Sequence, residues 1–563
     1  MKRLRWQLMI IFLTGLVVGI LLLSEQPGNL QPLSPEPARG GTYVEALTGN
    51  LQRLNPVLDF YNSVDRDVDR LIFSGLIRFD ERGIPQPDLA ESWGISRDGM
   101  IYNFALRPNI KWHDGEPLTS DDILFTVDLL REGGEVVPSD LQSFWKDVEV
   151  IALDQNNIQF RLPEPFAPFL DYLSFGVLPS HLLGNMNFQE LMDAPFNIQP
   201  VGTGPYRFDR LIIENDRIQG VVLSVFEQYY GARKPYIEQI IFRYYPDSNA
   251  AFEAYRQGEV EGIGNVTIDI LPTVLNELDL AVYTSRKPEI AFILLNLDNP
   301  QVAFFKDRAV RKALFIGLNR QWIIDRLLNG QAILANGPIL PGTWAYYDGI
   351  KPVRYDMQAA VEILKQNGYV IATEGSSIRE KDGTTLSFKL AHPQDELYTA
   401  IAQSIQSDWA KLGVQVELEP LPYEELINGR LVPRDYQAAL VTLNLARSPD
   451  PDPYPFWDQA QATGGQNYSQ WDNRTASEYL EEARVTTDLA ERARLYRNFQ
   501  LVFDEETPAL PLFSPVYTYA VSREVRGVSV GPLFDSSDRF STIMDWYLIA
   551  KVPSRQDSAL TGQ

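Results

Sequence analysis

The chain has 563 residues, an ordinary globular balance of 45% hydrophobic and 22% charged residues, and a formal net charge of −24. That length exceeds what one hydrophobic core serves, so two or three domains are expected. The acidic balance argues against a basic face for nucleic acid or anionic lipid, and the absence of cysteine excludes disulfides, thiolate metal sites and cysteine nucleophiles.

Lys2, Arg3 and Arg5 precede an apolar run over 8–23, the form of a signal peptide or of a short membrane helix with its positive end inside. No small-x-small cleavage site and no acylatable cysteine come after it, which favours an uncleaved anchor over 1–24, although the run is near the lower length limit for a span. The Pro-rich, polar stretch 25–39 reads as a flexible tether. TYVEAL at 42–47 is a strand, followed by LNP at 54–56 and the loop DFYNSVDRD at 59–67. Residues 71–76 read as a helix end stopped by Gly75. Tyr102, Phe104 and Leu106 alternate with smaller or polar neighbours, as in a half-buried strand. Asp114-Gly115 marks a tight turn, and Thr119 or Ser120 caps a helix beginning around Asp121. Two strand-like runs over 148–162 flank an Asn pair that suits a hairpin turn.

Further along, VGTGPYRF at 201–208 combines two glycines with a proline, which suits a strand beginning beside an interdomain crossing. AFILLNLDN from 291 is a strand, 307–328 a long helix, and 356–368 a second helix with cap and stop. LSFKLAHP, a helix with Ile401, Ala402, Ile405, Trp409 and Leu412 on one face, the stop Gly413, and VQVELEPL predict a parallel strand–helix–strand unit with a right-handed crossover. The buried strand ALVTLNLA leads to SPDPDPYPFW; a helical pattern covers 476–504, 508–522 is extended, and 553–563 reads as a disordered tail.

The search for chemistry returns no nucleophile elbow, HExxH, P-loop or dinucleotide fingerprint. His113, His181 and His392 are far apart; the first two read as scaffold, and His392, after a strand, is the one that could face a cleft. No cofactor, metal or catalytic residue is expected, and the chain reads as a non-enzyme.

Four motifs in order, GLIRFD (75–80), PDLAESW (87–93), DGMIYNFALR (98–107) and KWHDGEPLTSDD (111–122), together with GTGPY (202–206), closely resemble family 5 extracellular solute-binding proteins, the oligopeptide, dipeptide and nickel receptors of ABC importers. The resemblance implies an α/β, type-II periplasmic-binding-protein fold: two lobes around a hinge plus an extra α+β domain. It assigns 40–73, 207–291 and 518–552 to lobe one, 74–206 to the extra domain and 292–517 to lobe two, with crossings near 206–207, 291–295 and 517–521. It also implies a monomeric receptor in the periplasm or at the cell surface that closes on a small-molecule or peptide ligand and docks on ABC permease subunits. An oligosaccharide receptor, or a tethered sensor or chaperone, stays open as an alternative.

In the family's peptide receptors an aspartate before the DP-rich loop pairs with the peptide ammonium; here its place falls on Arg447 or Pro449. The resemblance therefore implies an extended ligand held by backbone groups of Tyr61, Asn62, Ser63 and of Leu445, Ala446, Arg447, Ser448, with Trp344, Tyr347 or Tyr517 as aromatic walls. Asp450 would replace the missing aspartate only if the loop path shifts, Arg447 would suit an anionic group, and a peptide would have a blocked or differently held amino end.

Overall fold

The computed structural model describes residues 37–372 and 375–549. The predicted anchor, most of the tether and the C-terminal tail lie outside the described residues. Among the described residues no helix is long and apolar enough to cross a membrane.

Two sheets share one strand. The strand Ala509–Ser522 pairs through its first half with Glu289–Leu295 and Ala332–Leu334, and through its second half, from Val516, with Leu280–Arg286. The first-lobe sheet continues beyond it through Gly262–Ile263, Thr42–Thr48, Gln239–Tyr245, Arg217–Val225 and Tyr206–Glu214. The second-lobe sheet continues through Ala438–Asn444, Ser387–Pro393 and Gln415–Leu421. The strand–helix–strand unit is as expected: Ser387–Pro393 and Gln415–Leu421 are parallel, and Gly413 ends the intervening helix Glu396–Leu412 at φ +82°. The chain passes between the lobes at 287–288 and 514–516, a few residues before the crossings expected at 291–295 and 517–521, because Glu289 already pairs in the second lobe and Val516 already pairs in the first.

A third, antiparallel sheet, in the order Ala90–Ile95, Ile101–Leu106, Asn157–Arg161, Glu149–Asp154, is packed by the helix Ser120–Glu132. Thr119 is that helix's N-cap, with its N–H donating to Asp122 Oδ2 (2.8 Å). The core beneath, with Trp112, Trp145, Phe160 and Phe169, is continuous with first-lobe residues such as Tyr43 and Leu47. This domain therefore rides on the first lobe, while the second lobe has a separate core around Phe292, Phe388 and Trp409.

Two of the family-like motifs, at 111–122 and 202–206, meet each other through His113. Gly202 N–H donates to His113 Nδ1 (3.2 Å), and His113 Nε2 donates to Gly204 O (3.1 Å), which fixes the neutral tautomer. Burial pushes this imidazole down to about 4. A Cβ at Gly202 or Gly204 would collide with the carbonyls of Ile72 and Leu71, so the GTGPY glycines let this segment lie against the end of the helix Ser63–Ile72. His181 joins the same scaffold through Asp114 (2.7 Å). His392 is buried within its strand, not on an open face.

Two predicted helices are broken. The run 307–328 is Arg308–Ile316 and Arg320–Arg326, split where Asn319 caps the second helix and gives its N–H to Asp408. The run 476–504 is Arg474–Val485 and Leu489–Glu506, the second capped by Asp488.

Arg539 locks the first lobe's far corner. Its fully buried guanidinium meets Glu45 Oε1 (2.6 and 2.9 Å) and both oxygens of Asp67 (2.6 and 2.9 Å), and Tyr43 and Tyr519 hydroxyls donate to Glu45 Oε2. It thereby ties the first strand, the helix Ser63–Ile72, the shared strand and the C-terminal segment Ser536–Asp545. Removing one partner strands two buried carboxylates, so Arg539→Met should cost about 3–5 kcal/mol in denaturant unfolding. A loss below about 1 kcal/mol would show the corner does not depend on it.

Candidate functional site

Two cavities flank the hinge. One, about 310 Å³, lies between Asn265 and Thr267 of the first lobe, Lys287 and Glu289 at the crossing, Gln331 and Tyr398 of the second lobe, and Thr518 of the shared strand. The other, about 540 Å³, is lined by Asp59, Arg66 and Asp69, by Arg447 and Pro449, and by the C-terminal stretch around Phe534 and Asp535. Both volumes are in the range of ligand pockets.

The 445–448 loop sits at the larger cavity, but its amides are spent. Leu445 N–H donates to Pro288 O (2.7 Å), Ala446 to Asn444 Oδ1 (2.9 Å), Arg447 to Phe534 O (2.7 Å) and Ser448 to Leu445 O (3.3 Å). The expected backbone donors to a ligand are thus engaged internally, and what the loop presents is the Arg447 side chain. Arg447 has φ +63°, a conformation uncommon for a residue with a Cβ. Its guanidinium covers the Phe60 ring at 4.5 Å, and Nη1 lies 3.5 Å from Asp59 Oδ1 across the lobes.

Other expected site residues are placed elsewhere. Asp450 does not stand in for the missing aspartate: it is buried against Arg492 (2.5 and 3.0 Å), and its N–H donates to Asp171 of the extra domain (2.7 Å). Trp344 packs on Tyr496 and beneath Arg492 in the same junction, and its N–H donates to Arg82 O; Tyr347 N–H is held by Gln500. Neither lines either of these two cavities. Tyr517 is buried with its hydroxyl on Gly264 O, while Val516 and Thr518 line the smaller cavity; strand alternation turns Tyr517 to the opposite face. Asn62 is consumed as the cap of the helix Ser63–Ile72, Ser63 is exposed at its first position, and Tyr61 is 74% exposed on the rim.

Asp59 was missed, as were Asn265, Lys287, Gln331 and Tyr398. Asp59 lies beside the loop residues singled out in the sequence, and what marks it is burial opposite Arg447, a tertiary property. Burial pushes its carboxyl up to about 7, against the pull of Arg447 and Arg66. Asp69 is also pushed well up by burial and by Asp59. Among the described residues no group of three or more histidines or carboxylates is arranged to hold a metal ion.

The profile of the bacterial extracellular solute-binding proteins, family 5 (Middle), matches residues 85–495. The chain belongs to this family. It is 26% identical to the oligopeptide-binding protein AppA of Bacillus subtilis (strain 168), over 97% of this chain and all of that protein, and 26% identical to the dipeptide-binding protein of Escherichia coli (strain K12), over 87% and 92%. The structure of AppA in complex with a nonapeptide superposes with a TM-score of 0.65, covering 92% of this chain and 100% of that one. That of NikZ from Campylobacter jejuni with Ni(L-His) gives 0.66 at 27% identity, covering 90% and 99%. In this family member, therefore, the two cavities lie on either side of a solute receptor's hinge.

The Asp59 carboxyl yields a pH test. Its folded value lies above the unfolded one near 3.8, so its favourable contribution is complete below about pH 4 and is lost as pH rises through about 7. Asp59→Asn should therefore gain stability relative to the parent chain between about pH 5 and 8, read as the difference of their melting temperatures. A difference that moves the other way would mean that Arg447 and Arg66 hold the carboxylate ionised.

Proposed function

We propose that this chain is the extracytoplasmic receptor of an ABC importer, capturing an extended solute, a peptide, between two lobes and delivering it to permease subunits. The observation that carries this reading is the single strand shared by both lobe sheets, with ligand-sized cavities on both sides of the crossing, in a chain of this family. The peptide as ligand class is supported by relatives named for oligopeptide and dipeptide binding that align with nearly the whole chain.

Binding works by differential contact: a ligand draws the lobes together only as far as the closed form touches it better than the open form. The receptor performs no covalent step, and energy for transport comes from the importer's ATPase. In our reading the segment 1–24 stays attached and keeps the receptor at the membrane.

Native mass spectrometry of protein purified without denaturation should reveal a co-purified peptide, and adding peptide should lower the radius of gyration in small-angle scattering. An unchanged radius at saturating ligand counts against hinge closure. Cell fractionation should place the chain with membranes; recovery in a soluble fraction, with an N-terminus between residues 26 and 40, would show a cleaved signal instead.

A further inference from the structure

The contact between Arg447 and Asp59 is an incomplete one. Both side chains line the larger cavity, Asp59 is 4% exposed, and the charged atoms stand 3.5 Å apart. Yet Asp59 Oδ1 and Arg447 Nη1 are both buried without a hydrogen-bond partner. A guanidinium that belonged there would reach its carboxylate at about 2.7–2.9 Å with a donor aligned. Here the loop holds it short: the left-handed backbone at Arg447 and the bond from its N–H to Phe534 O fix the base of the side chain, and Phe60 holds the guanidinium. Behind Asp59 the cavity wall carries Asp69, also buried, with neither carboxyl oxygen hydrogen-bonded. The wall is thus an under-satisfied acceptor surface, facing a cation that approaches without docking.

We propose that Asp59, backed by Asp69, is the subsite that receives the cationic group of the ligand, an ammonium or guanidinium, and that Arg447 is a tethered placeholder the ligand displaces. The proposal rests on the receptor reading above and deepens it, by naming the ligand group and the lobe that binds it. A free ammonium brings three rotatable donors and no tether, so it satisfies Asp59 where Arg447 cannot. The displaced guanidinium keeps its place over Phe60 or turns to solvent, its side chain being 31% exposed already. The placeholder also has a reason to exist: a buried carboxylate with no cation opposite it would be costly in the empty receptor.

The test uses the purified full chain and two probes: a chymotryptic casein digest, and the same digest acetylated at every amine. Bound peptides are read by native mass spectrometry. Every retained peptide should carry a free amine or an arginine. Asp59→Asn should lower retention about tenfold or more, and Arg447→Gln, which removes the competitor, should raise it. The opposite signs separate a displaceable pair from an architectural one, and melting curves confirm that each variant is folded. Acetylated, arginine-free peptides bound as well as untreated ones would overturn the subsite and leave the receptor reading standing. Two variants that weaken retention alike would overturn the placeholder. Retention of no peptide from either digest would overturn the peptide-receptor reading and the subsite with it.

Discussion

The shared strand Ala509–Ser522 is the constraint on which the rest depends, because one continuous backbone must satisfy two sheets that have separate cores. Prolines sit where the partner changes. Pro515, having no N–H, leaves the ladder without a donor at the crossing, yet its carbonyl still accepts from Lys287 N–H (2.9 Å). Across from it, Pro288 O accepts from Leu445 N–H (2.7 Å), which anchors the 445–448 loop to the hinge itself. Gln331 spans the same point, accepting from Val516 N–H through its backbone and from the Thr518 hydroxyl through its side chain. The interruption of the ladder is thereby confined to a few residues at the crossing, where the proposed closure would turn.

The kind of contact on each side decides which parts move together. The extra domain shares a continuous apolar core with the first lobe, and separating them would expose Trp, Phe and Leu side chains. Against the second lobe its contacts are fewer and mostly polar: Trp344 N–H to Arg82 O, Asp450 N–H to Asp171, Arg484 over the Phe166 ring, and the apolar side chain of Ile84 on that lobe's core. First lobe and extra domain therefore share one core, and in the proposed closure the second lobe is the part that would move against them.

Much of this architecture was readable in the chain because it rests on local rules. Capped helices, alternating strands and the glycine stop at 413 depend on neighbours in sequence, and they fell where the pattern put them. The helix over 307–328 failed for a tertiary reason: Asp408, from a different helix, takes the N–H of Asn319 and makes the break stable. The binding site was less legible. Tyr517 has the right chemistry for a cleft wall but the wrong parity on its strand, which only pairing register decides. Asp450 has the right charge, but Arg492, far along the chain, already holds it.

Arg447 and Asp59 join the hinge to the ligand site. All four amides of the loop carrying Arg447 are engaged, two of them locally and two on Pro288 at the crossing and on Phe534, so the base of its side chain is positioned by the scaffold. This couples occupancy to geometry: a group seated at Asp59 lies on the first lobe, while the side chain it pushes aside belongs to the second, next to the crossing at 287–288. On the proposed reading, the charged pair that senses the ligand is linked to the crossing by one hydrogen bond, from Leu445 N–H to Pro288 O. A receptor that closes when filled needs its ligand contact and its hinge mechanically connected, and if Asp59 is the subsite proposed above, the 445–448 loop is the segment that reaches both.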